Sequence, residues 1–491
     1  MMRDQPNLNN TEVAVVRGET PKESLVNGIE LLGGISKFIK KDDQVFIKFN
    51  LFLPGGFPNN TNIDVLTEIV LLCKEAGAKK VYLGSFPLKG FTVKVISDTL
   101  NLEKYFRSLG AELAFLDNSN LFHNKGFKGE QMTSINNEST LIVTINNKEI
   151  LVPKIILDSD KIISVNQVSV NPLFRLNLSL LNLFSIVSPK YQELRNQKEH
   201  DDNYITQDQY KKDMISEIIG VFGIKQPNLV INDLFYLLEG AGPYIYTESN
   251  LKKTNLIVLG KDAVSVDQIT LKLLQFDPNN SNLIVKAQKM GFGVNNIQNI
   301  KILGEKLEDY EIHIDLCVSA LEEINVKNFY VKPGNYCSGC FMQAYHLLNF
   351  LKTNIVKDLK YNPSNAFLIG QKPPESQNYI NILLYGDCAI NSTKNSEFRK
   401  IRKMSKKSTI DLTKEKIMKK PKSSKEPKIK FKPNKNILQL PGCPPDFFNC
   451  LNLIKKYYGK KNVPNLTFIN KILNLLEISN DREKLKSMGV I

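Results

Sequence analysis

The chain has 491 residues, of which 42% are hydrophobic and 23% charged; this is a globular composition, too long for one core, and it predicts two or three domains. The net charge of +15 is not a general polyanion-binding surface, because residues 394–435 alone carry 17 Lys or Arg against 4 Asp or Glu and leave only +2 for the rest. No stretch approaches the roughly 20 apolar residues of a membrane span, Met1 to Pro6 lack a signal peptide's apolar core, and seven cysteines, an odd number, do not make a disulfide scaffold, so a cytoplasmic protein with free thiolates is expected.

In chain order, a tail over residues 1–11 precedes alternating strand-like and helix-like segments. Strands are expected at Val13 to Val16, Gln44 to Phe49, Lys80 to Gly84 and Leu113 to Leu116. Between them, helices are expected at Lys22 to Leu32, Asn62 to Ala76 and Leu102 to Leu109, each stopping at a glycine. Leu141 to Ile145 and Glu149 to Val152 read as a hairpin. A strand at Lys161 to Val165 leads into a polar loop and an apolar helix near Leu176 to Ile186. Strands at Leu229 to Asn232 and Asn255 to Leu259 follow, then helices at Val264 to Leu274 and Ile284 to Met290. This rhythm predicts an α/β domain over residues 12–310, built on a largely parallel sheet flanked by helices.

From residue 329 the character changes, and a smaller α/β unit is expected over 329–393 and 436–491, with strands at Ala366 to Ile369, Ile380 to Tyr385 and Ile437 to Leu440. The Lys-rich stretch 394–435 splits it. That stretch has little hydrophobic periodicity and reads as a disordered insertion. It is either a solvated loop or a tether for an acidic partner. Phe398 and Phe431 are too few aromatics for base stacking, which argues against nucleic acid.

The strongest chemical signal is Cys337-Ser338-Gly339-Cys340, followed by Gly386-Asp387-Cys388 and Gly442-Cys443-Pro444-Pro445. A C-x-x-C brings two thiolates to one metal from one turn. Cys388 and Cys443 each follow a predicted strand, so in a parallel sheet both reach the same edge. Cys337 and Cys340 precede a predicted helix, whose N-terminus favours thiolates. Four cysteines suit a 4Fe–4S cluster; zinc would accept the same ligands. Cys73, Cys317 and Cys450 read as apolar fillers, and His346 as a core or surface histidine. No P-loop, zinc-protease or nucleophile-elbow motif is present.

The segments Val45-Phe46-Ile47-Lys48-Phe49-Asn50-Leu51, Lys74 to Ser85, Ile231-Asn232-Asp233, Glu239-Gly240-Ala241-Gly242-Pro243 and Lys261 to Asp267 stand in the order of the domain of unknown function 362 family, which this chain resembles over about residues 12–305. His200 falls where that family often has a histidine. The resemblance implies a ligand site formed by Lys48, Asn50, Asn182, His200, Asp233, Glu239, Asp262 and Asp267. One departure is clear: Gln167, Ser169, Asn171 and Leu181 stand where the family usually has Lys or His. If those positions bind an anion in relatives, this chain lacks that contact. Physically, the acidic residues lie at predicted strand ends, where open α/β sheets bind ligands, although Asp262 also suits a helix cap.

The cysteine elements resemble the proximal-cluster site of the [NiFe]-hydrogenase small subunit and the related complex I subunit, with Gly442-Cys443-Pro444-Pro445 the nearest match. That resemblance implies a 4Fe–4S cluster on Cys337, Cys340, Cys388 and Cys443, and a redox partner protein. Together these readings predict an iron–sulfur protein for electron transfer, or an oxidoreductase acting on a ligand in the first domain. The alternative is a binding or assembly protein with structural zinc.

Overall fold

The computed structural model describes residues 11–88, 91–117, 140–145, 148–187, 207–354, 364–402, 431–433 and 436–459. In the first unit, β1 (Thr11–Arg17), β2 (Gln44–Phe49), β3 (Lys80–Gly84) and β4 (Glu112–Leu113) come first. A separate hairpin, β5 (Thr140–Ile145) and β6 (Lys148–Pro153), follows. Then come β7 (Lys161–Asn171), β8 (Arg175–Asn177), β9 (Leu229–Glu239), β10 (Asn250–Lys253), β11 (Leu256–Gly260) and β12 (Ile300–Gly304). Apart from the hairpin they form one sheet in the order β12-β1-β11-β9-β7-β2-β3-β4, with β8 on β7 and β10 on β9. Strands β9, β7, β2, β3 and β4 are mutually parallel. Strand β11 runs antiparallel to both of its neighbours.

Alternate residues of the central strands bury on opposite faces, as the period-2 geometry requires. Ile47, Val165 and Ile231 pack with α1 (Pro21–Leu31) and α2 (Ile63–Glu75). Phe46, Ile162 and Val230 pack with the helix Gln207–Ile224 and with α4 (Ala263–Leu273), beyond the short α3 (Ser179–Phe184). The ends are defined by side-chain caps: Thr20 accepts from Glu23 N, Asn62 from Asp64 N and Asp262 from Ser265 N.

The connections fix where a ligand site can form. From β2 the chain crosses through α2 to β3 and onward to β4. It then returns to β7 on the other side of β2 and crosses through Gln207–Ile224 to β9. The reversal between β2 and β7 is a topological switch point, where the carboxyl ends of parallel strands diverge.

Most predicted elements stand within a few residues of their expected places. The clear difference is the polar loop expected after Val165. Strand β7 continues to Asn171, with Asn166, Gln167, Ser169 and Asn171 all buried and hydrogen-bonded to neighbouring strands and to β8. Tertiary pairing overrides the weak strand preference of Asn, Gln and Ser.

The second unit holds β13 (Phe329–Pro333), β14 (Asn365–Ile369) and β15 (Asn381–Tyr385), then β16 (Lys400–Arg402), β17 (Phe431–Pro433) and β18 (Ile437–Leu440). Its four-stranded sheet, β13-β14-β15-β18, is parallel throughout. Helices α5 (Ser338–Asn354), α6 (Asp387–Ser392) and α7 (Phe447–Gly459) surround it. Strands β16 and β17 pair antiparallel within the Lys-rich stretch; its residues 403–430 lie outside the described residues, as do the N-terminal tail through residue 10 and residues 460–491. One apolar cluster runs from α1, α2 and β2 into α5 and α7, so the two units share a core.

Candidate functional site

Two sites stand out, one in each unit. In the second, β15 and β18 are parallel neighbours that end in register, Tyr385 beside Leu440. Their exit loops are laced together. Gly386 N donates to Leu440 O at 2.9 Å, and Asp387 N to Gly442 O at 3.2 Å. The Asp387 carboxylate accepts from Gly442 N at 2.9 Å. This fixes Cys388 and Cys443 at one edge. Cys337 sits at the start of α5, where its carbonyl accepts from Phe341 N at 3.0 Å, and Cys340 lies in the first turn. Gly386 has φ +86°, and a Cβ there would stand 3.5 Å from Cys340 Sγ. That is ordinary van der Waals contact, so the left-handed φ and not the space is what calls for glycine there.

The four thiols act on one another. The Cys337 thiol bonded to it, then burial, then the nearby Cys443 and Cys388 all push the Cys340 thiol well above its usual range. Cys388 is pushed up to about 11 by burial and by Cys337. Such a donor set becomes four thiolates only with a cation among them. The Ser338 hydroxyl beside them is buried and has no hydrogen-bond partner, a free donor at the same edge. These observations fit the chemistry of a thiolate-held cluster. Among the described residues, no group of three or more His, Cys, Asp or Glu is drawn together closely enough to hold a metal ion.

The second site lies at the switch point. Lys48, at the end of β2, is fully buried and donates from Nζ to Phe49 O at 2.6 Å and to Asn182 Oδ1 at 2.8 Å. Asn50 donates to the same Asn182 oxygen at 3.1 Å and accepts from Gln167 N at 2.7 Å. Asn182 also donates to Ser164 Oγ at 3.1 Å. Burial holds the Lys48 amine well below the ordinary lysine range. Three of the sequence-selected residues, Lys48, Asn50 and Asn182, therefore meet, in a closed polar seam rather than an open cleft.

Asp233, in register with Gln167 on β9, joins the seam on its other face. Asp267 is tied in more distantly. It accepts from Ser179 N, Ser179 Oγ, Leu180 N and Asn232 Nδ2, and Asn232 accepts from Asn166. Glu239 and Asp262 stand apart: Glu239 pairs with Lys252 at 2.9 Å, and Asp262 caps α4. His200 lies outside the described residues. The departures from the family pattern now have a structural role. Ser169 and Asn171 bond to Asn177 and close the β7–β8 turn, and Gln167 Nε2 donates to Tyr236 O at 2.8 Å.

Sequence reasoning missed the aromatic junction between the units. Tyr246 Oη and His346 Nδ1 are 2.9 Å apart, and the Tyr244 ring lies 4.6 Å from the histidine ring. Burial pushes His346 down to about 3, so it is neutral. The aromatic density of Tyr244 and Tyr246 was the only signal, and nothing in the sequence pairs it with His346.

The fold and its sites define a two-unit α/β protein with a buried polar seam at a switch point and a four-cysteine edge. Residues 45–272 match the family model described as domain of unknown function (DUF362), which supports the family read from the sequence. No curated protein matches the chain. A crystal structure of a protein from Thermotoga maritima is similar at 14% identity and a TM-score of 0.23, covering 48% of this chain. The match takes in 55% of that protein, so this chain spans little more than half its length.

Proposed function

We propose that this chain is a DUF362-type iron–sulfur protein, in which Cys337, Cys340, Cys388 and Cys443 hold one 4Fe–4S cluster. The observation that carries this reading is the meeting of thiols from three separate loops, Cys340 acting with the other three at one buried edge. A cluster supplies one-electron chemistry when bound. The chain's own residues would set its surroundings: the α5 N-terminus favours negative charge, the Ser338 hydroxyl offers a donor, and burial excludes water. A single zinc ion would accept the same four thiolates. The role would be electron transfer, or redox chemistry on a ligand of the first unit. The net +13 of residues 394–435 would suit an acidic redox partner.

The test is anaerobic purification with iron, sulfide and zinc analysis and a visible spectrum. About four iron and four sulfide per chain are expected, with absorption bleached by dithionite. Serine at each of the four positions should lower iron content, whereas Cys73→Ser and Cys450→Ser should not. One zinc per chain without a chromophore would make the site structural. No metal after reconstitution would end this reading.

A further inference from the structure

The first unit contains two deeply buried aspartates that are treated in opposite ways. Asp267 is provided for as an anion, with both carboxylate oxygens receiving donors from Ser179, Leu180 and Asn232. Asp233 is not. Its Oδ1 accepts from Phe235 N at 2.9 Å, but its Oδ2 is buried with no partner. Beside it, on the same face of the next strand, Gln167 Oε1 is also buried and unpartnered. The Gln167 amide cannot be turned to relieve this. Its Nε2 faces two carbonyl oxygens, Asp233 O at 3.3 Å and Tyr236 O at 2.8 Å, so reversal would set oxygen against oxygen.

Both acceptors, on register-paired residues, lack a donor among the described residues. One proton held between them would serve both. We infer that Asp233 and Gln167 form a protonation site, with a carboxylic acid proton on Asp233 Oδ2 directed at Gln167 Oε1, and that this gives the first unit a proton donor and acceptor at its topological switch point. The position counts, because β2, β7 and β9 present their carboxyl ends there and Asn50 links the Gln167 backbone to the Lys48 seam. A ligand at this site would be one that gains or loses a proton. The inference needs no cluster in the second unit and stands or falls separately from it.

Composition sharpens the point. Asparagine at position 233 would satisfy both orphan oxygens' surroundings by donating Nδ2 to Gln167 Oε1, and would carry no ionisation cost. An acid that is less favourable than its own amide is the mark of a site arranged for chemistry at the expense of stability. Burial pushes Asp233 up to about 7, opposed only by the Phe235 N–H. The surrounding elements carry few charges that could substitute for the proton. Lys48 on β2 is engaged by Phe49 and Asn182. Lys253 on β10 lies over the Phe235 and Tyr236 rings, and Glu239 on β9 pairs with Lys252. Ile257 of β11 is apolar, and Tyr244, Tyr246 and His346 occupy the junction. None of these acts on Asp233.

The experiment compares the full chain with Asp233→Asn by infrared titration and by thermal unfolding at pH 5 and pH 8. The wild type should show a buried carboxylic acid C=O band that fades as pH rises through neutrality and is missing in Asp233→Asn. The variant should melt slightly higher than the wild type at pH 5, where the unfolded carboxyl already ionises, and by more, a few °C, at pH 8. If Asp233→Asn fails to fold, the titration is repeated on Asp267→Asn, which removes the other buried carboxyl raised to about 6, and the band that remains decides. A wild type with no neutral-acid band titrating near pH 7 overturns the inference, as does a variant band identical to the wild type. So does a variant no more stable than wild type at pH 8; in that case a water molecule, not a proton, serves the two oxygens.

Discussion

Asp267 makes the cost of burial at a single residue measurable. Burial pushes it up to about 6 although Ser179, Leu180 and Asn232 all donate to its carboxylate. Its folded value exceeds the unfolded one, so the folded state holds the proton more tightly. This contribution to stability is full below about pH 4 and is lost as pH rises toward 6, on the order of 3 kcal/mol. Yet the carboxylate, once formed, accepts from both Ser179 N and Leu180 N at the start of α3. Asp267→Ala should therefore destabilise the chain by about 3 kcal/mol or more at pH 7, because it strands several buried donors. Denaturant unfolding at pH 5 and 7 measures both effects. A variant as stable as wild type at pH 7 would show that Asp267 anchors nothing.

Among elements, the β15 exit loop is the one on which the cysteine edge depends. Gly386 adopts a left-handed φ, which costs a non-glycine residue roughly 1–2 kcal/mol. Gly386→Ala should lose about that much stability and, on the proposed cluster reading, also lower metal loading, since the strain falls on the loop that leads from β15 to Cys388. Gly33→Ala is the control, with a similar φ of +97° and only Lys37 nearby; it should lose stability but keep its metal. Equal loading in both variants would detach Gly386 from the site. The same loop explains what was legible. Apolar runs such as Val45 to Phe49 and Asn381 to Tyr385 announce buried parallel strands, and parallel strands deliver Cys388 and Cys443 to one edge. Lys48 and Asn50 were legible for the same reason. The second half of β7 was not, because Asn166, Gln167 and Ser169 carry turn-like chemistry and become a strand only through partners on β8 and β9. Edge strands β12 and β13, half exposed and short, gave too little pattern to be separated from loop.

At the scale of the whole molecule, the question is whether the two units are independent. Their contacts argue that they are not. Phe91 of the first unit stacks edge-on against Phe448 of α7 at 4.3 Å. Tyr246 meets His346, Thr247 N donates to Thr353 Oγ1 at 2.9 Å, and Glu248 pairs with Lys352, all on α5, the helix that begins with the cysteines. The core of the first unit on its α1–α2 face is thus completed by residues some 100 to 350 positions further along the chain. A chain ended at residue 310 would expose Phe91, Tyr244 and Tyr246 as one apolar patch, a surface that soluble monomers seldom leave open. Such a chain should bind a hydrophobic dye, self-associate in sedimentation and melt well below the full protein. A truncated chain that sediments as a monomer with unchanged melting would show that the units are joined without being coupled. The expected result has a functional consequence. Under the proposed cluster reading, loss of the metal at the α5 N-terminus should loosen the Tyr246–His346 contact and lower the stability of the first unit as well. Hydrogen exchange in β2 and β9, with and without chelator, would detect that coupling as faster exchange far from the cysteines.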